Sequence, residues 1–321
     1  MTDAADPDLV LVFCENQIGV CSGAIKNADR CVNGIWEPCV SEDYLQNSPQ
    51  YLSGGDVCDG LDNDCDGHVD ESCVLVSVRA FLEGPYDTAI GTMNDGMRAL
   101  GLVLTTEPYA RLGYTHVGGG ESTSPAVLAI TGNDAIVDRV LLELRCSADA
   151  SVVLATRSAL LQCDGDIVAT DGVSALTFNQ APAAYHVALR HRNHLGGMTG
   201  NATAFGLSTT PLDLASASTG TFGTSARKSL TGTFPVQALW AGDVTFDGTL
   251  RYTGQDNDRD PVLARIGGTL PTNTTNGYFA EDVDLNGQVK YTGSGNDRDP
   301  ILQNIGGSVP TNTRVEQLPT P

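Results

Sequence analysis

Acidic side chains recur at alternate positions in three glycine-containing segments of this chain. The first segment is DNDCDGHVDE at 62–71, and the other two begin GDVTFDG at 242 and EDVDLNG at 281. Oxygen atoms spaced in this way can converge on one point, and the glycine permits the sharp turn between them. Because Ca²⁺ prefers hard oxygen ligands, the sequence predicts a calcium site in each segment.

The second and third segments are copies of one another. GDVTFDGTLRYTGQDNDRDPVLARIGG at 242–268 matches EDVDLNGQVKYTGSGNDRDPILQNIGG at 281–307 with a constant offset of 39. We predict that each copy holds one Ca²⁺ through its alternating oxygens and a closing acid. The predicted ligands are Asp243, Thr245, Asp247 and Asp258 in the first copy, and Asp282, Asp284, Asn286 and Asp297 in the second.

Each copy continues into an apolar stretch, PVLARIGG or PILQNIGG, which favours a helix of about two turns because proline suits the first turn and glycine the end. Asp260 and Asp299 stand just before these prolines, where a side-chain oxygen can cap the helix. They are therefore alternative metal ligands, and we favour Asp258 and Asp297 as the closing ligands.

The segment at 62–71 offers Asp62, Asp64, Asp66 and the His68 carbonyl as ligands of a further Ca²⁺. Position twelve of a calcium-binding loop of the EF type would be Cys73, which cannot close the site within a disulfide. We therefore expect Asp70 or Glu71 to close it, or a shifted frame that starts at Asp59.

Seven of the nine cysteines lie in the first 73 residues, between stretches rich in Gly, Asn and Asp. Such a segment buries too little apolar surface to hold itself, so we predict disulfides. Zinc is the alternative, but zinc sites usually contain a Cys-x₂₋₄-Cys pair and these cysteines are further apart. An odd number leaves one thiol unmatched within the segment, and Cys146 could pair with Cys163.

The overall charge and hydropathy restrict the function. The chain has 39 acidic and 18 basic residues and a formal net charge of −21, which argues against nucleic-acid binding. No stretch approaches the roughly 20 apolar residues of a membrane span. MTDAADPDLV does not resemble a signal peptide, and the cysteines favour an oxidising compartment, so we expect a secreted protein whose residue 1 lies near a mature start.

Composition shifts divide the chain into three predicted domains: a cysteine-rich module at 1–73, a β-sandwich at 74–236 and a duplicated calcium-binding domain at 237–321. The middle region has short apolar runs that read as strands at 74–82, 126–131, 137–146 and 184–192, a hairpin turning at Asp164-Gly165, and a short helix near 94–100. The predicted fold is mainly β: an antiparallel β-sandwich with a disulfide-rich N-terminal module and a small duplicated loop-helix domain.

Three resemblances agree with this organisation. Residues 242–307 resemble the dockerin-type calcium-binding repeat with an insertion, roughly YTGSGN, before the closing acid; the resemblance adds the backbone carbonyls of Thr249 and Gln288 as ligands. Residues 14–73, with VCDGLDNDCDGHVDESC, resemble the metal-binding repeat of MopE-like secreted bacterial proteins, which makes copper the alternative metal. Residues 74–317, with FLEGPYD, MNDGMR and RHRNHLG, are similar to a C-terminal module of large secreted bacterial surface proteins.

Catalytic interpretations have less support. His186, His191 and His194 cluster in HVALRHRNH and could be imagined as a metal site with His116, but a polar strand end explains them as well. The chain contains no Gly-x-Ser-x-Gly nucleophile motif and no recognisable acid–base pair. The sequence therefore predicts a protein that is not an enzyme.

The favoured interpretation is an extracellular structural or adhesive protein stabilised by calcium, a subunit of a surface fibre or matrix. The apolar run LVLVF at 9–13 could add to a sheet of a neighbouring molecule, or pair within its own chain. The alternative is a carbohydrate-binding or cohesin-binding module of a larger secreted enzyme. The predicted partners are accordingly other copies of the chain and a surface glycan.

Overall fold

The structure, a computed structural model, describes residues 8–319 and is mainly β, with 30% strand, 12% helix and antiparallel sheets. Two compact units are present. The first contains the described residues up to Val74 together with Thr177–Pro182 and Gly206–Ser208. The second contains Leu75–Leu176, Ala183–Phe205 and the residues from Thr209 onward.

The first unit has little regular structure. Its elements are 3-10 turns at Gly19–Cys21 and Ala28–Arg30, strands β1 (Cys31–Val32) and β2 (Ile35–Trp36), and helix α1 (Ser41–Asn47). The two strands form a hairpin through Asn33 and Gly34, both with positive φ, which is the preferred composition of a two-residue primed turn.

Three disulfides stabilise this unit, as the cysteine content predicts: Cys14–Cys39, Cys21–Cys65 and Cys58–Cys73. Cys31 is the seventh cysteine of the segment and is buried. The small core of the unit consists largely of half-cystines with Ala24 and Tyr44. Disulfides at this density indicate an extracellular or otherwise oxidising environment. No helix within residues 8–319 is both long enough and apolar enough to cross a membrane.

The remaining strands before the duplicated segment are short, apart from three that form the centre of the main sheet. They are β3 (Cys73–Arg79), β4 (Phe81–Leu82), β5 (Tyr86–Asp87), β6 (Thr92–Met93), β7 (Ile136–Cys146), β8 (Val153–Gln162), β9 (Asp166–Val168), β10 (Leu176–Asn179), β11 (Ala183–His191), β12 (His194–Met198), β13 (Thr203–Phe205), β14 (Thr210–Asp213), β15 (Arg227–Leu230) and β16 (Val236–Leu239). Helices in this region are α2 (Gly96–Ala99), α3 (Pro125–Leu128) and a 3-10 turn at Tyr109–Leu112.

The main sheet of the second unit has the order β14-β3-β9-β8-β7-β11, and both β12 and β13 pair with β11. All neighbours are antiparallel except β14 and β3. A smaller sheet has the order β15-β16-β4. The predicted strands at 74–82, 137–146 and 184–192, the short helix near 94–100 and the hairpin at Asp164-Gly165 are confirmed.

Two expectations in this region are wrong. Residues 126–131 do not form a strand, because Pro125 begins helix α3 and the Ser124 hydroxyl accepts a hydrogen bond from the Val127 N–H as its cap. Cys146 and Cys163 do not pair. They lie at opposite ends of the β7–β8 hairpin, and eleven residues of strand separate those ends by about 30 Å.

The duplicated segment contains strands β17 (Thr249–Arg251), β18 (Thr274–Asn276), β19 (Gln288–Lys290) and β20 (Thr313–Val315), and helices α4 (Arg259–Arg265) and α5 (Arg298–Asn304). The two predicted short helices are therefore confirmed. Strand pairing crosses between the copies: β17 in the first copy pairs with β20, which follows the second copy, and β18, which follows the first copy, pairs with β19 in the second. Apolar residues of both copies share one core, which includes Val244, Val262, Val283 and Ile301.

Candidate metal centres

Three acidic loops have the same local backbone conformation: the first loop (62–71), the second loop (243–258) and the third loop (282–297). The fourth residue of each loop has a left-handed conformation, with φ of 64° at Cys65, 57° at Phe246 and 57° at Leu285. The sixth residue is always a glycine with positive φ, at Gly67, Gly248 and Gly287. A left-handed residue with a side chain is uncommon, so its recurrence at one position indicates a shared loop structure.

The hydrogen bonds inside the three loops also correspond. The first acid of each loop accepts hydrogen bonds from the N–H groups of the fifth and sixth residues. The distances are 3.1 and 3.1 Å to Asp62, 3.2 and 3.1 Å to Asp243, and 3.1 and 2.8 Å to Asp282. The fifth side chain, from Asp66, Asp247 or Asn286, accepts one from the seventh N–H at 2.8 Å in every loop.

The predicted closing acids of the second and third loops fold back onto the start of their loops. Asp258 accepts hydrogen bonds from the Thr245 N–H at 3.1 Å and the Arg251 N–H at 2.8 Å. Asp297 accepts them from the Val283 N–H and the Lys290 N–H, both at 2.7 Å. Each carboxylate thus joins the beginning of its loop to the ninth loop residue, and both side chains are fully buried.

In the first loop this position belongs to Asp56, which the sequence did not single out. Asp56 accepts hydrogen bonds from the N–H groups of Asn63 at 2.6 Å, Asp64 at 3.1 Å and Asp70 at 2.7 Å. These are the second, third and ninth residues of the first loop; Asp297 contacts the same three positions in its loop, and Asp258 contacts the third and the ninth. Because Asp56 precedes its loop while the other two acids follow theirs, no repeat offset could have revealed it.

Of the two residues expected to close the first loop, Asp70 contacts a different segment, whereas Glu71 lies near the loop acid Asp64. The Asp70 carboxylate accepts hydrogen bonds from the N–H groups of Asp59 and Gly60, both at 3.1 Å. Glu71 lies with Asp56 and Asp64 in a group whose ligand atoms are within 4.8 Å of one another. The exposed His68 ring contacts Asp66 at 3.1 Å.

Asp260 and Asp299 occupy equivalent positions one residue inside α4 and α5. Asp260 accepts a hydrogen bond from the Asn257 side chain at 2.9 Å, and Asp299 accepts one from the Asn296 side chain at 2.8 Å. Each also pairs with the arginine before it, Arg259 or Arg298, at 2.7 Å. These acids therefore stabilise the helix starts, while Asp258 and Asp297 take part in the loops.

Carboxylate oxygens come together most closely in the first and third loops. The ligand atoms of Asp62, Asp64 and Asp66 lie within 4.8 Å of one another, and so do those of Asp282, Asp284 and Asp297. In the second loop Thr245 replaces the middle acid, and its hydroxyl donates to Asp258 at 3.0 Å.

Burial and mutual repulsion disfavour the ionised form of these acids. Burial, followed by the charges of Asp284 and Asp282, raises the pKa of Asp297 to about 8. Burial and the charges of Asp258 and Asp247 raise the pKa of Asp243 to about 8. Mainly through burial, the pKa of Asp282 rises to about 7 and that of Asp258 to about 6. A divalent cation would relieve both causes, since it supplies the missing opposite charge.

The chemistry of the donor set fits a hard cation. Together the loops present carboxylate, hydroxyl, amide and carbonyl oxygens, and the groups of converging acids contain no thiolate or imidazole. Oxygen-only ligand sets suit Ca²⁺ or Mg²⁺ better than copper or zinc. The backbone carbonyls of Thr249 and Gln288 belong to the seventh residues of their loops, and His68 is the corresponding residue of the first loop.

The two copies support one another's loops. Helix α4, which begins after Asp258, packs on β19 of the third loop, and α5 packs on β17 of the second loop. Thr253 donates its hydroxyl proton to the Pro310 carbonyl, and Thr292 donates to the Pro271 carbonyl, both at 2.9 Å. Neither loop can therefore move without disturbing an element of the other copy.

The third loop is also attached to the main sheet. Asn193, in the turn between β11 and β12, donates hydrogen bonds to the carbonyls of Ala280 at 2.9 Å and Asp282 at 2.7 Å. Gly84 lies so close to the loop that a Cβ there would be 2.0 Å from the Val283 carbonyl oxygen. The loop entrance is thus fixed by two segments distant in sequence.

Of the histidines considered as a metal site, the structure brings two together. The Nδ1 atoms of His191 and His194 are 3.0 Å apart, whereas His186 contacts the Thr199 carbonyl and His116 contacts Glu107. His191 is also 3.0 Å from Asp138 on β7. The two rings and Asp138 form a buried polar network within the sheet.

Comparisons with known proteins identify no relative: no family model, no curated protein and no solved structure matches this chain. The geometry of the three loops is therefore the main basis for a functional assignment.

Proposed function

We propose that this protein is a non-enzymatic extracellular structural or adhesive protein that is stabilised by three bound calcium ions and assembles into a surface fibre or matrix. The observation that carries the proposal is the recurrence of one loop structure three times, in both compact units. Each loop has a fourth residue in the left-handed conformation, a glycine at the sixth position and the same hydrogen bonds to its first carboxylate.

Calcium is the proposed ion because the converging atoms are hard oxygens and several of the acids are buried. In the second and third loops, the proposed ligands are the predicted ones with Asp258 and Asp297 as closing acids. In the first loop they are Asp62, Asp64, Asp66, the His68 carbonyl and Asp56. An ion in each loop would replace the shared protons of apo carboxylates and rigidify the backbone around them.

The proposed architecture combines a disulfide-rich module, a β-sandwich built from the sheets of the second unit, and a loop-helix pair of the dockerin type. The pair differs from two independent motifs, because its strands pair between the copies, β17 with β20 and β18 with β19. The ions would therefore stabilise one interlocked pair.

Self-association is proposed from the apolar surface of the first unit. Val10 is 78% exposed and Phe13 is 66% exposed, and Ile35 on β2 is 71% exposed. The run at 9–13 pairs only partly within its own unit, through a bridge between Phe13 and Ile25 flanked by two backbone hydrogen bonds. An exposed apolar strand of this kind readily adds to the sheet edge of another molecule.

The metal assignment can be tested by calorimetric titration of the full chain with Ca²⁺ after treatment with a chelator. We expect three binding events in the wild type and two in each of the variants Asp56→Asn, Asp258→Asn and Asp297→Asn. Asparagine keeps the shape and one acceptor oxygen, so the loss isolates the negative charge.

Matched controls are available beside each closing acid. Asp260→Asn and Asp299→Asn change acids that contact Asn257 and Asn296, and Asp70→Asn changes an acid that contacts the Asp59 and Gly60 N–H groups; all three should retain three sites. Absence of Ca²⁺ binding by the wild type would refute the metal assignment. A copper signal in native material that contains no calcium would change the assigned ion from calcium to copper.

Assembly is tested separately by negative-stain imaging of native material and by sedimentation with calcium present. We expect filaments from the full chain and a folded monomer with intact calcium sites after removal of residues 1–13. A full-length chain that stays monomeric at high concentration would refute assembly, as would a truncated chain that forms the same filaments. Selective binding on a glycan array by a monomeric chain would favour a carbohydrate-binding module instead.

A further inference from the structure

Two buried histidines form a hydrogen-bonded chain inside the second unit. His191 ends β11 and His194 begins β12, and their Nδ1 atoms face each other at 3.0 Å. His191 Nε2 is 3.0 Å from Asp138 Oδ2, and the Gly84 N–H donates to His194 Nε2 at 3.2 Å. The hydrogen-bonded chain therefore runs from Gly84 through both imidazole rings to Asp138.

The two ends of this chain determine where the protons are. Because the Gly84 N–H is a donor, His194 Nε2 must offer its lone pair, so a neutral His194 carries its hydrogen on Nδ1. Asn193 Oδ1, 2.8 Å from His194 Nδ1, requires the same tautomer, since the Asn193 amide group is oriented by its two bonds to Ala280 and Asp282. His191 then accepts at Nδ1 and donates from Nε2 to Asp138.

A third proton has no place in this arrangement. Added to His191 Nδ1, it would point at the hydrogen on His194 Nδ1; added to His194 Nε2, it would point at the Gly84 N–H. Either position brings two donors together at about 3 Å and leaves a buried positive charge without a new acceptor. One hydrogen per ring is therefore the only arrangement that satisfies all three contacts.

The surrounding charges act in the same direction. Arg192, in the turn, donates to Asp138 Oδ2 at 2.8 Å, and Tyr278 donates to Asp138 Oδ1 at 2.7 Å, so this carboxylate is already shared. The other charged or titratable groups around the histidine pair are Arg139 of β7, Tyr109, Asp282, and Glu83 beside Gly84, which pairs with Lys228.

A transition metal between the rings does not fit these contacts. It would take the lone pair of both Nδ1 atoms and move the His194 hydrogen to Nε2, against the Gly84 N–H. The third histidine of the motif, His186, contacts the Thr199 carbonyl at 3.1 Å and lies outside the chain.

We propose that the His191–His194 pair is an acid-sensitive latch that holds the entrance of the third loop on the main sheet while both rings are neutral and releases it when either ring takes up a proton. The link is Asn193, which contacts His194 on one side and the Ala280 and Asp282 carbonyls on the other. Opening the pair frees Asn193 and loosens the β11–β12 turn, so the third loop is the part that acid should release first.

The pKa shifts agree with this geometry. Burial lowers the pKa of His191, and burial together with the charges of His191 and Arg192 lowers the pKa of His194 well below its usual range. A histidine that is neutral in the fold and has an ordinary pKa of about 6.5 when unfolded stabilises the fold above that pH. Its contribution is lost progressively as the pH falls below 6.5.

The direct test is long-range ¹⁵N–¹H NMR of the imidazole groups in the full chain with calcium. We expect Nδ1–H on His194 and Nε2–H on His191, and neither ring should titrate between pH 8 and 6. Any other pair of tautomers, or titration of either ring near pH 6.5 in the folded protein, would overturn the proposal. Stoichiometric zinc binding that shifts both Nδ1 signals would do so as well.

A variant tests the consequence for the third loop. In the wild type, the protection of the residue 280–287 amides against exchange should fall as the pH is lowered below 6. For each proton taken up, exchange should become about tenfold faster per pH unit after correction for the intrinsic exchange rate. His194→Gln cannot be protonated and should show a pH dependence weaker by one proton, while the control His186→Gln should resemble the wild type. Equal pH dependence in wild type and His194→Gln would refute the latch; if that variant does not fold, the tautomer measurement decides alone.

Discussion

The first and third loops have nearly the same backbone but are held in place by different means. At the fourth position, where both chains turn through a left-handed residue, the first loop has Cys65 in a disulfide with Cys21. The third loop has Leu285 there, fully buried. A small module with a core of half-cystines anchors the loop covalently, whereas a larger unit anchors it by packing. The loop itself is therefore a portable structure whose stability depends on its surroundings.

The largest expected effect comes from removing the disulfide that anchors the first loop. Replacing Cys21 and Cys65 by alanine should destabilise the first unit by about 2–5 kcal/mol and abolish the first calcium site. The second and third sites should remain, because the described residues of the duplicated segment contain no cysteine. Calcium titration of the full-length variant checks this, and loss of all three sites would contradict it.

The pH dependence of stability should differ between the metal-free and the calcium-bound protein. Since the pKa values of Asp243 and Asp297 are raised to about 8 in the fold, both carboxyls hold a proton there that the unfolded chain releases. Stability in a chelator should therefore fall as the pH rises from 6.5 to 8, by about tenfold in the folding constant per pH unit and group.

With saturating calcium the ionised acids are bound, so stability should hold or rise over the same range of pH. Urea unfolding at several pH values, with and without calcium, measures the difference. A metal-free protein whose stability is constant between pH 6.5 and 8 would show that these carboxylates are not desolvated.

The interlocked strands should couple the second and third sites but leave the first independent. Asp258→Asn removes the acid at the start of α4, and α4 packs on β19 of the third loop. We expect Ca²⁺ affinity at the third site to fall by about 5-fold or more, within the usual range of coupling between sites. Asp56→Asn is the control, because it should not change either site in the duplicated segment.

A more local effect concerns the support of the first loop. Gly19 has φ of 53°, and a Cβ there would lie 2.4 Å from the Asp62 carbonyl oxygen, which accepts the Val20 N–H. Gly19→Ala should destabilise the first unit by about 1–3 kcal/mol and weaken the first calcium site. Gly60→Ala has a similar positive φ in open space and should cost less. Equal losses would mean that the contact with Asp62 is unimportant.

The sequence predicted the parts of the molecule that depend on local pattern. Alternating acids before Gly67, Gly248 and Gly287 identified the loops, and the proline and glycine positions identified α4 and α5. The apolar runs at 137–146 and 184–192 identified β7 and β11. In these places composition and spacing are enough to determine the local structure.

Non-local contacts were not predictable in this way. The role of Asp56 depends on where Asp70 lies after folding. The pairing of β17 with β20 and of β18 with β19 depends on how the two copies pack. The strand expected at 126–131 became a helix because the Ser124 cap and Pro125 outweigh the β-branched residues that follow. The meeting of His191 and His194 required the tight turn that contains Arg192 and Asn193.

The attachment of the last described residues to the centre of the sheet has a consequence for synthesis on the ribosome. Arg145, fully buried on β7, donates a hydrogen bond to the Pro319 carbonyl, and Arg190 on β11 pairs with Glu316. During synthesis, these two arginines of the central strands therefore lack their partners until more than a hundred further residues have emerged. Such late, long-range closure makes folding slow, and the unfinished sheet would need protection until its final segment arrives.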